Sequence, residues 1–198
     1  MSLGQPDVLV RAAARADLAA VDRLLAGTMW PTDRSAFKHA SPAVQARVRT
    51  ELRAASPDPT EGLLVAVVGD QVVGVISTLT AEAAHWPSLR QLRAVAPLGL
   101  VPTLRFLLAA ALSYPPRRHE AYLFGMAVDP AYRRRGIGEL LHQAAEEDAR
   151  ARGKRVAVGF VARDNVASLG LLEKRGFERE RQRSWRASKF LRLNKTLD

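Results

Sequence analysis

A single turn of the chain carries three consecutive arginines and two glycines, in the order Arg133, Arg134, Arg135, Gly136, Ile137, Gly138. Two glycines one residue apart at a helix start let a ligand approach the backbone, because no Cβ stands in the way. The first amide N–H groups of a helix have no intrahelical partner and favour an anion. Three cations at this positive end of a helix dipole are disfavoured by ~0.3–1 kcal/mol each. The turn therefore predicts a binding site for pyrophosphate or a similar group, with a solvated basic loop as the alternative.

Other chemistries fit the residues less well. A dinucleotide-binding fingerprint would have a third glycine at Leu141, and a P-loop would have Gly-Lys followed by Ser or Thr, which is absent. The chain has no cysteine, which excludes disulfides, thiolate metal sites and a thioester-enzyme intermediate. His39, His85 and His142 share no metal-ligand spacing, so no metal site is predicted. An acyl group would pass directly to an amine, or through a hydroxyl or carboxylate carrier.

The elements around the turn follow the order strand, helix, strand. Ala121–Val128 is a continuous apolar run, as expected of a strand covered on both faces. An apolar stripe then predicts a helix from about Gly136 to Arg152, and Val156–Val161 reads as a second buried strand. This spacing is typical of a right-handed parallel crossover. Asn165 can cap a further helix that ends at Gly176.

The other predicted elements are assigned by periodicity and by turn residues. A hairpin is predicted from two apolar runs joined at Gly69-Asp70, and Asp17 fits the N-cap of a first helix. The remaining strands are expected at 8–11, 63–68, 71–79, 177–183 and 184–193, and helices at 18–25, 43–54 and 103–114. Prolines interrupt residues 80–118, which we interpret as a mostly helical insertion in one domain of residues 1–198.

Two segments resemble a known family. Met126 to Gly138 is similar to the acetyl-CoA motif of the GNAT superfamily of N-acyltransferases, and Arg133, Gly136 and Gly138 match its pattern. That pattern is Arg or Gln, two residues, Gly, one residue, then Gly or Ala. The segment from Asn165 to Phe177 resembles the second motif, an Asn-started helix closing in Gly-Phe. The resemblance covers nearly the whole chain outside the insertion. It implies an α/β fold with helices flanking a mixed, mostly antiparallel sheet that has one splayed parallel strand pair.

The resemblance also implies where acetyl-CoA, the acyl donor, would bind. The parallel strands would separate after a bulge near Gly125–Ala127, against Val158–Phe160, and the pantetheine arm would bond to the backbone in the gap. The pyrophosphate would lie on the amides of the turn, and Asn165 would contact the pantetheine or help to position the thioester. The implied cofactor-binding residues are Met126, Ala127, Val128, Arg133, Arg134, Arg135, Gly136, Ile137, Gly138 and Asn165.

One position departs from the family pattern. The family usually has a tyrosine after the leucine of the second motif, proposed to protonate the leaving thiolate, and Leu172 stands there in this chain. A thiol with a pKa of about 8.5, by analogy with cysteine, is a tolerable leaving group at neutral pH, so a water or Ser168 could suffice. A domain that binds CoA without catalysis is the alternative.

Glu120 is the leading candidate for the general base. It comes just before the buried strand, and the period of two places it on the same face as Tyr122, so that both could face the cleft. A base is needed because a protonated amine cannot attack the thioester. The alternative is that Glu120 only pairs with Arg117 or Arg118. The predicted catalytic residues are Glu120, Tyr122 and Ser168.

The predicted function is transfer of an acetyl group from acetyl-CoA to a primary amine. By analogy with the branch of the family that modifies antibiotics and other small amines, the proline-broken insertion suggests a small-molecule acceptor, and it would narrow access for a protein chain. A protein or peptide N-acetyltransferase is one alternative. A silent CoA-binding or nucleic-acid-binding regulator is the other, and the net charge of +10 points gently toward it. No secretion signal or membrane span is evident, so a cytoplasmic protein without a membrane or nucleic-acid partner is expected; a homodimer is left open.

Overall fold

A seven-stranded sheet organises the part of the chain that the structure describes. The computed structural model describes residues 7–26, 42–56, 58–83, 89–111, 116–180 and 190–198. The strands in these ranges are β1 (Val8–Ala12), β2 (Leu63–Val68), β3 (Gln71–Thr80), β4 (Glu120–Val128), β5 (Val156–Ala162), β6 (Glu178–Arg179) and β7 (Phe190–Thr196). The α-helices are α1 (Leu18–Leu25), α2 (Pro42–Ala54), α3 (Leu89–Val95), α4 (Leu100–Ala111), α5 (Ile137–Ala151) and α6 (Val166–Lys174).

The sheet order is β1-β2-β3-β4-β5-β7-β6, and its neighbours are antiparallel except for one pair. The parallel pair is β4 with β5, connected through α5 as the crossover rule requires. The predicted hairpin is confirmed, since β2 and β3 pair from Leu63 with Ser77 to Val68 with Gln71. The mixed, mostly antiparallel sheet with one parallel pair confirms the predicted fold class.

The two faces of the sheet are covered by different helices. On one face, Ala121 and Leu123 of β4 pack with Ile137 and Leu141 of α5 in the largest apolar cluster. On the other face, Val75 of β3 and strand residues from β2 pack against α1 in a second cluster. Alternation along a strand sends successive side chains to opposite faces, so β4 divides its residues between these two layers. Glu120 and Tyr122 lie on the face toward α1, because Ala121 and Leu123 lie on the other face.

The insertion contains two helices, α3 and α4, and both pack away from the sheet. Val95 of α3 and Phe106 of α4 are buried with Val48 of α2, in a small apolar cluster of their own. Phe106 therefore contributes to this small core.

A buried lysine ties the two ends of the insertion together. The Lys154 ammonium is 7% exposed, and it donates to the carboxylate of Glu82 at 2.7 and 2.8 Å and to the carbonyl of Arg118 at 2.9 Å. The hydrogen bond with Lys154 is the largest cause that lowers the pKa of Glu82, to about 2. Glu82 lies near the start of the inserted segment and Arg118 at its end, so Lys154 joins both ends of the segment next to the start of β5.

Three details correct the sequence-based predictions. α4 begins at Leu100, three residues before the expected start, and includes Pro102 in its first turn, where proline is tolerated. β6 has only two residues and β7 continues to Thr196, while residues 181–189 lie outside the described part. Asp17 does not cap α1 through its side chain. Its carboxylate binds the Arg11 guanidinium at 2.6 and 3.0 Å and the Ala14 amide at 2.7 Å.

A second group of buried charges is centred on Glu146 of α5. Glu146 is 1% exposed and pairs with Arg175 at 2.9 Å and Lys195 at 2.7 Å. Burial alone would raise the pKa of Glu146, but the hydrogen bonds to the two cations outweigh it and lower that pKa. One turn earlier, His142 is also buried, against the ring of Phe177. No helix in the described ranges is long and apolar enough to span a bilayer.

The buried imidazole predicts an acid-sensitive fold. Burial lowers the pKa of His142 to about 4, and the attraction of Glu146 offsets this only in part. The unfolded chain, with a histidine pKa of about 6.5, binds more protons between these values, so the free energy of unfolding falls as pH drops from about 6.5 to 4. We expect this loss to be about 3 kcal/mol, and His142→Met to remove it. Urea unfolding at pH 7 and pH 4 measures the difference; an equal pH dependence in both proteins would contradict the prediction.

Candidate active site

β4 and β5 pair along only a short part of their length. The parallel ladder joins Glu120 with Val156 and ends where Tyr122 meets Val158, although β4 continues to Val128 and β5 to Ala162. Within the described residues, the edge of β4 that faces β5 therefore has no strand partner beyond this point. The predicted separation of the two strands is confirmed.

A bulge in β4 accounts for the separation. On the β3 side, Phe124 pairs with Ser77 and Ala127 pairs with Val75, so β4 has one more residue than β3 over this interval. Gly125 has φ of 60°, a left-handed conformation that glycine adopts without the Cβ penalty. Such an extra residue bends a strand and increases its twist. The bulge thus turns the second half of β4 away from β5 at the predicted position, Gly125–Ala127.

The turn after β4 presents backbone amides to an open space. Asp129 accepts the Ala131 amide at 2.9 Å, which starts a short 3-10 turn over Pro130–Tyr132. Arg134 has φ of 60° and Gly136 has φ of 78°, so two residues in the left-handed conformation precede α5. The Leu140 amide makes the first bond of the helix, to the Gly136 carbonyl at 3.1 Å. The amides of residues 137–139 precede that bond and have no intrahelical acceptor, which leaves them for an anion.

The three arginines of the turn have different roles. The Arg133 Nε donates to the Val128 carbonyl at 3.0 Å, so this side chain fastens the turn to the end of β4. The Arg135 guanidinium lies 5.1 Å from the centre of the Tyr132 ring, in cation–π contact. Arg134 is exposed, and so is Arg135. The sequence predicted all three as ligands of an anion, whereas the structure gives Arg133 a partner in the protein.

The second motif supports the turn from α6. Asn165 is the N-cap of α6, and its Oδ1 accepts the Ser168 amide at 3.1 Å, which confirms the predicted cap. A Cβ added to Gly138 would stand 3.3 Å from the Leu171 side chain and 3.7 Å from the Met126 sulfur. A side chain at position 138 would therefore crowd Leu171, and the glycine allows α6 and β4 to pack closely against the start of α5.

Leu172 takes no part in the gap. It is 4% exposed, it belongs to the apolar cluster under α5, and it approaches Gly159 of β5. The absence of a tyrosine here thus removes a hydroxyl from the site and fills its place with core packing. Ser168, the predicted substitute, is half-buried in the first turn of α6.

Glu120 is the first residue of β4 and is held by cations. Its carboxylate accepts the Arg192 Nη2 at 2.8 Å and the Arg117 amide at 3.0 Å, with the Arg117 Nε at 4.0 Å. Glu120 is 2% exposed. Of the ion-pair partners expected from the sequence, Arg117 takes part, but Arg192 is nearer and could not be foreseen. The pairing of β7 with β5, which sets Arg192 opposite Phe160, brings it there.

Aromatic rings surround Tyr122 at the point where the strands separate. The Tyr122 ring lies 5.2 Å from that of Phe124 and 5.4 Å from that of Phe160, measured between centroids. Burial raises the pKa of Tyr122 to about 12. The phenol is therefore protonated throughout the physiological range and can donate a hydrogen bond. Sequence reasoning placed Tyr122 on the face that Glu120 shares. It missed Phe124, which the same period of two places beside Tyr122, and Phe160, whose contact depends on the strand register.

Comparison with known proteins identifies the family. The model of the acetyltransferase (GNAT) family matches residues 28–177. The chain belongs to this family. Among curated proteins, no match to the sequence was found.

Solved structures show the same fold at low sequence identity. A crystal structure of an acetyltransferase is 22% identical, with a TM-score of 0.72, and the match covers 96% of this chain and 100% of that one. A putative phosphinothricin N-acetyltransferase is 22% identical, with a TM-score of 0.58 over 97% and 99% of the two chains. A putative acetyltransferase from Salmonella typhimurium, solved with its cofactor acetyl-CoA, is 18% identical, with a TM-score of 0.53 over 97% and 95%.

GNAT membership makes this protein an acetyl-CoA-dependent acetyltransferase, and the features described above fit that donor. Among the described residues, the edge of β4 beyond Tyr122 has no strand partner, and the amides of a pantetheine arm would pair with it as a strand does. The amides at the start of α5 suit a pyrophosphate, and no atom lies within 4 Å of a Cβ placed on Gly136. Bound acetyl-CoA supplies an acetyl group activated as a thioester.

Gly136 can be tested against a matched glycine at the other end of α5. Gly136 and Gly153 have φ of 78° and 72°, and both face open space. Alanine at either position should cost about 1–2 kcal/mol through backbone strain. Only Gly136→Ala adds a methyl group to the proposed pyrophosphate site, so we expect it alone to weaken acetyl-CoA binding, by about tenfold or more. Isothermal titration measures both variants, and equal affinities would refute this placement of the pyrophosphate.

Glu120→Gln tests the predicted base. We expect turnover to fall about 100-fold while acetyl-CoA affinity changes little, because a general base contributes roughly 10²–10⁴ to rate. Glu180→Gln is the control, since Glu180 also pairs with Arg192 but is exposed, and it should leave turnover unchanged. If Glu120→Gln lowers the melting temperature but leaves turnover unchanged across the full pH range, Glu120 only stabilises the strands.

Proposed function

We propose that this enzyme acetylates a small primary amine whose body is apolar or aromatic. The observation that carries the proposal is the group of rings formed by Tyr122, Phe124 and Phe160 where β4 and β5 separate. In the proposed binding mode the thioester reaches this point along the β4 edge. An acceptor bound beside it would meet aromatic surfaces on the face toward α1. Aromatic faces bind apolar groups and also attract an amine in its cationic form.

The proposed donor site follows the backbone from β4 into α5. Met126, Ala127 and Val128 would bind the pantetheine arm along the free strand edge. The amides of Arg134, Arg135, Gly136, Ile137 and Gly138 would receive the pyrophosphate, with the exposed Arg134 and Arg135 side chains beside it. Arg133 would act by holding the turn, through its bond to the Val128 carbonyl. Asn165 would act by capping α6 and so placing that helix next to Gly138.

The proposed proton path starts at the amine and leads toward Glu120. Glu120 and Tyr122 lie on one face of β4, two residues apart, so a carboxylate and a phenol flank the same side of the strand. To accept a proton, directly or through a water, Glu120 must give up part of its bond with Arg192. Tyr122 would donate a hydrogen bond to the acceptor or to the thioester. Ser168 is kept as a hydrogen-bond donor near the leaving group.

Access to this face supports a small acceptor. α2 is tied to α1 by Arg53 and Thr50, which both bond to Asp22 at 3.1 Å. The insertion helices pack on α2, so they add mass on the side of the sheet that α1 covers. A wall there would narrow the approach for a protein chain. We also propose that residues 1–198 form one domain, since strands from both halves share a sheet.

An acceptor panel tests the proposal. We would measure CoA thiol release with acetyl-CoA and one of three acceptors: phenethylamine, spermidine or a peptide with a free N-terminal alanine. Phenethylamine should give the highest kcat/KM, by about tenfold or more, because one buried apolar ring is worth roughly 1.5–3 kcal/mol. A reaction without acceptor is the control. Preference for the peptide would favour a protein acetyltransferase, and acetyl-CoA binding without release for any acceptor would favour a silent regulator.

A further inference from the structure

Ser77 carries a buried hydroxyl that the fold leaves without a partner. Its side chain is 3% exposed in the middle of β3, and its Oγ makes no hydrogen bond with any residue that the structure describes. A hydroxyl removed from water without a hydrogen bond costs free energy, and most buried polar groups in proteins are satisfied. An exception such as this one calls for a reason in the structure.

The neighbours of Ser77 cannot satisfy it. Across the sheet it pairs with Leu63 on one side and Phe124 on the other, and on the same face of β3 it lies between Val75 and Leu79. These four side chains are apolar and offer neither a donor nor an acceptor. The missing partner must therefore come from above the sheet, on the face toward α1.

Ser77 lies beside the aromatic rings that form the proposed acceptor site. Directly opposed side chains of an antiparallel pair have Cβ atoms about 4.5–5.5 Å apart, so the hydroxyl lies beside Phe124. Phe124 stacks on Tyr122 and directly precedes the bulge glycine, Gly125. Ser77 is thus the polar group of β3 beside the aromatic rings at which the two central strands separate.

We infer that Ser77 is an acceptor-binding residue whose Oγ receives a hydrogen bond from the N–H of the amine substrate. This inference rests on the proposed function and adds to it a specific contact. The bond would hold the nitrogen while leaving its lone pair free to point at the thioester carbon. It would also satisfy the hydroxyl, so that the free energy lost on burying Ser77 in the free enzyme is recovered when the acceptor binds.

Thr78 provides a matched control on the same strand. It is 6% exposed, and its Oγ1 also has no hydrogen-bond partner among the described residues. Its side chain points to the opposite face, because it is the next residue along β3 and pairs with Leu123 of the cluster under α5. Two neighbouring hydroxyls therefore share the same burial and the same lack of a partner, and only one faces the proposed acceptor site.

The experiment compares Ser77→Ala with Thr78→Val. Removal of an unsatisfied buried hydroxyl should leave the melting temperature unchanged or raise it by about 1–3 °C in both variants. With phenethylamine as acceptor, Ser77→Ala should lower kcat/KM by roughly 10- to 100-fold, the effect expected for one lost hydrogen bond to a polar substrate. Thr78→Val should keep the wild-type kcat/KM, and titration should give both variants the wild-type affinity for acetyl-CoA.

The outcomes separate this inference from the proposed function. Equal kcat/KM in Ser77→Ala and wild type, with the wild type active, overturns the role of Ser77 and leaves the proposed acceptor class intact. A wild type that does not acetylate phenethylamine overturns the acceptor class and the inference with it. A lower melting temperature or a weaker affinity for acetyl-CoA in Ser77→Ala would show that Ser77 has a structural role and does not bind the acceptor. Ser77→Thr, which keeps the hydroxyl, should retain more activity than Ser77→Ala if the inference holds.

Discussion

The break in the β4–β5 ladder is the constraint on which the site depends. A parallel pair of nine and seven residues could form more pairs than the three observed from Glu120 to Tyr122. Each lost pair leaves backbone groups that need another partner. The bulge at Gly125 causes the loss of these strand pairs. The turn before α5 and the helix α6 lie at the open end of the gap. A ligand with amide groups and a pyrophosphate, as acetyl-CoA has, can bond both to the backbone groups of the strand edge and to the amides at the start of the helix.

The closed end of the gap is held by buried charges. In the sheet order, β5 lies between β4 and β7, so the pair of Glu120 with Arg192 crosses β5 and joins the strands on either side. Lys154 anchors the insertion next to the same end of β5. Removing one member of such a buried pair leaves a charge without compensation, which is far more costly than the loss of a surface ion pair. These contacts keep β4, β5 and β7 together on the N-terminal side of Tyr122. The separation of β4 from β5 therefore starts at a defined point, just after Tyr122.

The backbone geometry of the proposed donor side could be predicted from local sequence. The glycines at 136 and 138, the arginines before them and the Asn165 cap belong to one strand–turn–helix or helix start, and their geometry depends on residues close in the chain. Even the bulge near Gly125 was expected from the motif. The acceptor side was not predicted in the same way. Ser77, Phe124, Phe160 and Arg192 come from four strands, and only the registers of β3, β5 and β7 bring them to one face.

At two positions a partner within the protein binds a side chain for which the local pattern predicted another contact. Asp17 has the residue type of an N-cap, but the Arg11 guanidinium offers it a bidentate ion pair, and the carboxylate turns back to take it. Arg133 belongs to a basic cluster that suits an anion, but the free carbonyl of Val128 at the end of β4 binds its Nε. In both cases a polar group within the protein competes with the role that the motif suggests. A pattern of residue types does not reveal which partner is nearer.

The positions of the tyrosine hydroxyls decide whether the protein can protonate the leaving thiolate. Leu172 fills the position at which the family usually has a tyrosine, and its burial under α5 leaves no room for a proton donor there. Tyr122 is the phenol on the opposite face, but burial raises its pKa to about 12, well above the value of about 8.5 for a thiol. A group that holds its proton more tightly than the thiol does cannot protonate the thiolate in a downhill step. In the proposed reaction Tyr122 would therefore orient and polarise its partner through a hydrogen bond, and CoA would depart as the thiolate without an acid from the protein.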